Sequence, residues 1–308
     1  MEPFLLPEGI ITQDNLETAS GLDAALVFGG DGTIHRYLAE LHRHGLPVLV
    51  VPVGSGNDFA RSLGLRNRET ALRAWRRFCA GGNNVREIDL GVISGLTSTG
   101  LTDTKSVNTG LTNAGQIDAK AVNTGSLEIG PLNTGPIHED GPQTFFCCVA
   151  GVGLDAGANA RANRMPSWFR STAGYLLAGV RELWSFKPLE FRLTTEAGGL
   201  SRTAFFAAVG NARSYGGGMK VVPGAQLDDG LLDVCLVGKM SKLKILFCLP
   251  TIFFGAHTSI RGIEYFQARR VRIETARPLA LYADGELAGQ TPLEISLIRR
   301  GLKVIVPA

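Results

Sequence analysis

No stretch of this chain is apolar for long enough to cross a bilayer, which takes about 20 residues. The longest, 243–256, is interrupted by Lys244 and Pro250. A strong charge of one sign is also missing. The net charge of +3 is too small to mark a nucleic-acid footprint, so no nucleic-acid partner is expected. The cysteines (Cys79, Cys147, Cys148, Cys235, Cys248) show no CxxC or Cys/His metal spacing. An odd number without a secretory leader reads as reduced cytosolic thiols, and Cys147 and Cys148, inside an apolar run, read as core filler. The opening MEPFLLPEGIITQDN carries acids and an early proline in place of a basic region followed by an apolar one, which argues against a signal peptide. These absences predict a cytoplasmic protein without a transmembrane segment, whose contact with a membrane is peripheral.

Aromatics are missing too, between Phe78 and Phe145. Within that gap, residues 95–139 read as nine units of five: GLTST, GLTDT, KSVNT, GLTNA, GQIDA, KAVNT, GSLEI, GPLNT, GPIHE. A period of five fits neither helix nor strand. It leaves a flexible protrusion or a small β-solenoid, and nine units make barely two square coils, too few to bury a core. The segment is expected to carry no function.

The rest has a globular balance, 44 % hydrophobic and 19 % charged, and 308 residues suffice for two domains. The apolar run 24–29 ends in glycines and leads to residues 34–44, where Ile34, Leu38 and Leu41 have helical spacing. The run 47–53 is followed by a second glycine turn and a helix at 58–63. Strand, glycine turn and helix, twice over, predict a parallel α/β sheet, with ligands beyond the carboxyl ends of its strands. After residue 88, strand-like runs recur at 145–149, 189–195, 203–209, 231–236, 270–275, 279–283 and 293–298, a mostly antiparallel pattern. Helices are expected at 166–186 and 242–254, and a last strand at 302–306 could join either sheet.

The strongest local signal is Gly29-Gly30-Asp31-Gly32-Thr33, between a strand and a helix. Glycines there let backbone N–H groups approach a phosphate closely, and the following helix aims the positive end of its dipole at the same place. A carboxylate beside phosphates repels them unless it holds Mg2+ or takes a proton from an attacking hydroxyl. Alone, the motif is also an ordinary strand–helix turn. Gly54-Ser55-Gly56-Asn57-Asp58 then repeats the arrangement, with Ser55 and Asn57 able to bond phosphate or ribose and Asn57 or Asp58 able to cap the helix.

With Ile88-Asp89-Leu90-Gly91, the GVGLDA of 151–156, Gly210-Asn211, Tyr215-Gly216-Gly217-Gly218, the PGAQLDDGLLDV of 223–234 and Asp284-Gly285-Glu286, these turns resemble the diacylglycerol-kinase catalytic family. The motifs follow the family's order from about residue 22 to the C-terminus, the pentads excepted. The resemblance implies an α/β plus β fold of the NAD-kinase and diacylglycerol-kinase type. A nucleotide-binding domain would occupy 1–88 and a β-rich lipid-binding domain 89–308, with 300–308 able to return to the first. It implies a kinase that uses ATP and Mg2+ to phosphorylate a lipid hydroxyl at the inner membrane surface, diacylglycerol to phosphatidic acid being the leading reaction. A kinase of a soluble substrate such as NAD, or an inactive binding remnant, are the other readings, and a homodimer is left open.

Carried over by motif, Gly29, Gly30, Asp31, Gly32, Thr33, Gly54, Ser55, Gly56, Asn57 and Asp58 belong to the nucleotide site. Glu286 is then the general base, Asp31 a residue of the nucleotide and Mg2+ site and in some relatives the proton acceptor, and Asp89 a residue near Glu286 that orients or tunes it. Asp229, with the carbonyls of Gln226 and Leu231, corresponds to a structural Mg2+ site. On spacing alone, Glu286 is a β-turn acid and Asp229 a loop cap. Three departures stand out. Only 28 residues precede Gly29, and the family's opening strand and Asn-Pro-x-Ser-Gly-type loop are not among them, so a truncated first domain is expected, through a downstream start or loss. Arg36 stands where an acid is usual, and Cys148 where Asn is frequent. For membrane contact the sequence offers two apolar stretches with basic flanks. One is Ile245-Leu246-Phe247 and Ile252-Phe253-Phe254 with Lys242 and Lys244; the other is Trp168, Phe169 and Trp184 with Arg164, Arg170 and Arg181. Each also reads as a helix packed on its own domain.

Overall fold

The computed structural model describes residues 22–95, 143–154 and 180–307. The pentads beyond Gly95, and most of the helix expected at 166–186, lie outside the described residues.

Strand β1 (Ala25–Gly29) pairs in parallel with β2 (Val48–Pro52), and helix α1 (Asp31–His44) connects them. Ile34, Leu38 and Leu41 form the buried face of α1, as their spacing predicts. Gly45, at φ 61°, closes the helix in the left-handed conformation. Helix α2 (Asp58–Ser62) follows the second glycine turn. Helix α3 (Arg68–Cys79) is opened by a reciprocal cap between Asn67 and Thr70 and buries Ala71 and Ala74, leaving its arginines exposed.

The remaining strands are antiparallel to their neighbours within the unit they build. They are β3 (Val85–Gly95), β4 (Gln143–Phe146), β5 (Val149–Gly153), β6 (Leu189–Thr195), β7 (Gly198–Gly210), β8 (Leu232–Gly238), β9 (Ile263–Ala268), β10 (Arg270–Thr275), β11 (Ala280–Ala283), β12 (Glu286–Gln290) and β13 (Leu293–Ile305). Helix α4 (Lys242–Ile252) and a short 3-10 turn (Ala256–Ser259) lie between β8 and β9. The architecture is thus α/β with a parallel N-terminal part, joined to a mostly antiparallel β part.

Two long strands make the join. The first half of β13 pairs with β10 and with the second half of β3; its last turn of strand pairs with the first half of β3 and, in parallel, with β2 at Val304↔Val48. The expected strand at 302–306 is therefore the end of β13 and touches both parts. The register of β13 on β3 shifts between Ile298 and Leu302, opposite Asp89. Asp89 holds that irregularity: its Oδ1 accepts from Arg300 N at 2.8 Å and its Oδ2 from Gly230 N at 2.7 Å.

One strand differs from its sequence pattern in a telling way. The apolar run 145–149 divides into β4 and β5 with a bend at Cys147-Cys148, because the amides of Cys147, Cys148 and Val149 all donate to the carboxylate of Asp284. A charged acceptor outcompetes the ladder there. Gly91 leaves room for Phe146 below that bend; a Cβ at 91 would overlap the Phe146 ring, which is fully buried.

Candidate active site

The two glycine turns lie backbone on backbone. Asp31 N donates to Gly56 O at 3.0 Å and Val53 N to Gly29 O at 3.2 Å. A Cβ on Gly30 would overlap the Gly56 carbonyl oxygen, and one on Gly54 would sit 2.6 Å from Gly30 Cα. These glycines are needed for close approach, not for positive φ. The consequence is chemical: the N–H groups of Gly32, Ser55 and Gly56 donate to nothing among the described residues and stand beside the N-terminus of α1. Together they form a surface suited to an anion. Thr33 covers Gly29, where a Cβ would strike its side chain.

Asp31 is anchored within this surface. Its Oδ2 accepts from Asp58 N and its Oδ1 from Phe59 N, both at 3.0 Å, so it is Asp31 that caps α2. The capping expected of Asn57 or Asp58 is not what they do. Asn57 spends its amide nitrogen on Gly54 O at 2.7 Å, and its Oδ1 is buried without a partner. Asp58, 1 % exposed, instead binds Arg61, Ser214 Oγ and Gly217 N. The last bond, 2.7 Å, joins the α/β part to the 216–218 turn, whose glycines all have positive φ. Burial pushes the pKa of Asp31 up to about 6; the two amides oppose that shift, and the charges of Asp58 and Asp284 add to it.

Glu286 comes from the far end of the chain. Ala283 pairs with Glu286 across β11 and β12, so Asp284-Gly285 is a two-residue hairpin turn with φ of 52° and 90°, the type I′ geometry that Asp-Gly favours. The β-turn reading of this segment is correct, and the turn also does something further. Asp284, clamped by three amides at 2.7–3.2 Å, fixes the hairpin against the 147–149 bend, and Asp284 N donates back to Val149 O. Glu286 is thereby set with its Oε1 3.1 Å from where a Cβ on Gly32 would stand. The partly exposed Glu286 carboxylate has no hydrogen-bond or ion-pair partner among the described residues. The first glycine turn and the distant glutamate face one another.

Asp284, named in its motif but given no role, and His35, not named at all, also enter this site. His35 Nδ1 lies 3.6 Å from Asp284 Oδ2 and is buried without a hydrogen bond. The signal for Asp284 was the acid in the turn motif itself, hidden because the turn alone accounts for an Asp-Gly pair. Cys147 and Cys148 are core residues as expected; burial first, then the charges of Asp284 and Asp31, push both thiols well above the usual cysteine range. They stay protonated.

Asp89 is buried and bonded to backbone amides. Its carboxylate is taken by Gly230 N and Arg300 N, so no bond orients Glu286 through it. It steadies instead the loop that carries Gln226, Asp229 and Leu231. There Asp229 Oδ1 accepts from Leu231 N at 3.0 Å, and the Arg299 guanidinium lies against Gly230. Arg36 is exposed.

With the turns, the hairpin and the join on view, comparison with known proteins is decisive. The model of the diacylglycerol kinase catalytic domain matches residues 12–93, and that of the YegS C-terminal NAD kinase beta sandwich-like domain matches 148–306. A diacylglycerol kinase of Mycobacterium tuberculosis is 32 % identical over 291 residues, covering 94 % of this chain and 78 % of that protein. The chain belongs to the diacylglycerol kinase family of lipid kinases. A diacylglycerol kinase of Bacillus subtilis is 26 % identical and spans 92 % of this chain and 78 % of its own. The crystal structure of a diacylglycerol kinase from Bacillus anthracis shares the fold, with TM-score 0.62 and 18 % identity, over 98 % of this chain and 83 % of that one. Among the described residues no helix is long and apolar enough to cross a membrane.

Proposed function

We propose that this chain transfers the γ-phosphate of ATP to the hydroxyl of diacylglycerol at a membrane surface, giving phosphatidic acid. The observation that carries the reading is the unpartnered Glu286 carboxylate facing Gly32 at the head of α1. In this reading, residues 1–88 bind the nucleotide and 89–308 the lipid. The free amides of Gly32, Ser55 and Gly56 hold the phosphates together with the α1 dipole. Ser55 and the buried Oδ1 of Asn57 take the remaining polar contacts of the nucleotide.

Glu286 accepts the proton of the acceptor hydroxyl as the oxygen–γ-phosphorus bond forms and the bond to the β-phosphate oxygen breaks, leaving ADP. Asp31, whose oxygens already hold Asp58 N and Phe59 N, positions the second glycine turn and faces the phosphates. Mg2+ would neutralise phosphate charge when bound. The set of Asp229 with the carbonyls of Gln226 and Leu231 is all oxygen, which suits a hard cation, and Asp229 keeps one oxygen free of bonds for it.

The test is phosphate incorporation from labelled ATP into a panel of lipids and NAD, by this chain. Label in the diacylglycerol fraction is expected. Label in NAD alone would overturn the reading, and no label in any acceptor would leave the chain a binding remnant.

A further inference from the structure

Four large apolar side chains stand in solvent around the start and end of α4: Leu243 is 60 % exposed, Phe247 78 %, Phe254 82 % and Trp184 56 %. Single exposed apolar residues are ordinary; an aligned set is not. Leu243 and Phe247 are four apart on α4, on the side away from its buried Ile245 and Cys248, and Phe254 stands in the turn just past the end of the helix, its N–H donating to Thr251 O. Lys242 Nζ donates to the Trp184 carbonyl at 2.6 Å, which holds Trp184 beside the start of the row.

The charges along α4 have one sign, and the acid nearest the stripe is Glu182, beside Trp184. Residues 234–263 contain no Asp or Glu, but hold Lys239, Lys242, Lys244 and Arg261. Beyond the far end of α4, Lys220 N donates to Ile252 O. Lys220 also lines a cleft of 650 Å³ with Arg61, Arg66, Arg86 and Arg213, of which Arg61 is paired with Asp58 and Arg86 with Asp228. A second copy meeting this stripe about a two-fold axis would set these cations against their own equivalents. An anionic bilayer instead accepts both features: aromatics at the headgroup–acyl boundary, and lysines whose ammonium groups reach lipid phosphates.

We propose that Leu243, Phe247 and Phe254, with Trp184, dock this protein on an anionic phospholipid bilayer, with Lys239, Lys242, Lys244 and Arg261 as the cations that meet its phosphates. The proposal rests on the reading above in one respect: a kinase whose acceptor is a lipid must reach it in the bilayer. It takes the α4 stretch that the sequence offered and adds Trp184 from the other, which Lys242 holds beside it.

The test is sedimentation of the full chain with vesicles of phosphatidylcholine, with and without phosphatidylglycerol, alongside phosphorylation of a short-chain diacylglycerol dissolved as monomers. The parent should bind the phosphatidylglycerol vesicles and lose that binding as salt rises. Phe247→Glu with Phe254→Glu, and separately Lys242→Glu with Lys244→Glu, should each weaken binding about tenfold or more. Activity on the dissolved substrate should stay within about twofold, since these residues lie outside the catalytic cleft. Leu72→Glu, at an exposed leucine of α3, should leave vesicle binding as it was. Equal vesicle binding by the aromatic pair of variants would sink the proposal, as would a parent that binds no vesicles or forms a dimer that Phe247→Glu dissociates. A lack of phosphate on the dissolved diacylglycerol, with vesicle binding intact, would overturn the kinase reading and leave the docking surface standing.

Discussion

Glu286 and Asp31 are two carboxylates at one cleft with unlike surroundings. Asp31 has both oxygens bonded to backbone amides, whereas Glu286 has neither oxygen engaged among the described residues. The free one is the better proton acceptor in geometry, since a base must be able to reach the hydroxyl it serves. Glu286→Gln keeps the shape and removes the basicity, so kcat should fall about 100-fold or more with the KM for ATP within about twofold. Steady-state kinetics with ATP varied at saturating lipid would show it, and near-normal kcat would remove Glu286 as base. Asp284 acts one step back. Asp284→Ala strands three buried amides at 147–149 and frees the hairpin that aims Glu286. Its denaturant midpoint should drop by an equivalent of about 3 kcal/mol or more, and kcat should fall with it. Asp284→Asn, which keeps an acceptor, should recover part of both, a rescue that mere misfolding would not give.

At the scale of elements, the glycine turns and α1 were legible because their local pattern and their environment agree. Ile34, Leu38 and Leu41 read as one helical face and are one. The turn motifs predicted a phosphate site, but not that Gly30 and Gly54 touch each other, since contact between turns 24 residues apart is a property of the sheet. Gly54→Ala would drive a methyl against Gly30 backbone that cannot yield, and should cost about 2 kcal/mol or more. Thermal unfolding of that variant measures this, and an unchanged midpoint would show that the two turns can part. Elsewhere tertiary bonding overrode pattern. Residues 145–149 have the composition of a strand, yet an acid 135 residues or more downstream bends them. Strand β9 was missed because only Arg269 separates it from β10, so the hydrophobic pattern shows no boundary. Helix α3 was not among the expected helices, because its buried side is as small as Ala71 and Ala74.

Across the whole molecule, β3 and β13 run through both parts, and Asp89 sits where their register slips. No local pattern in the sequence announces such a staple, because its partners, Gly230 and Arg300, are distant amides. Asp89→Ala should cost about 2–5 kcal/mol in denaturant unfolding by stranding both, and Asp89→Asn less; a loss below about 1 kcal/mol in Asp89→Ala would show that the join holds without it. The other long-range bond with a measurable signature is made by His257, which is 2 % exposed behind α4. Its Nε2 donates to Val221 O at 3.0 Å, and burial lowers its pKa below the usual histidine value of 6.5 despite that bond. The unfolded chain, protonating near 6.5, therefore binds more protons than the folded one just below that pH. Stability must then rise with pH through this window, and fall as pH drops from about 6.5 through the folded pKa. Asp31, Asp233 and Glu294, whose pKa values are raised chiefly by burial, slope the opposite way, so the parent's curve alone is ambiguous. His257→Gln retains a donor for Val221 O and cannot titrate. Unfolding free energies of parent and variant, taken between pH 5 and pH 8, should converge toward acid pH, because only the parent loses the histidine contribution. A constant gap across that range would mean that His257 is protonated equally in both states and that its burial does not govern the pH response of this fold.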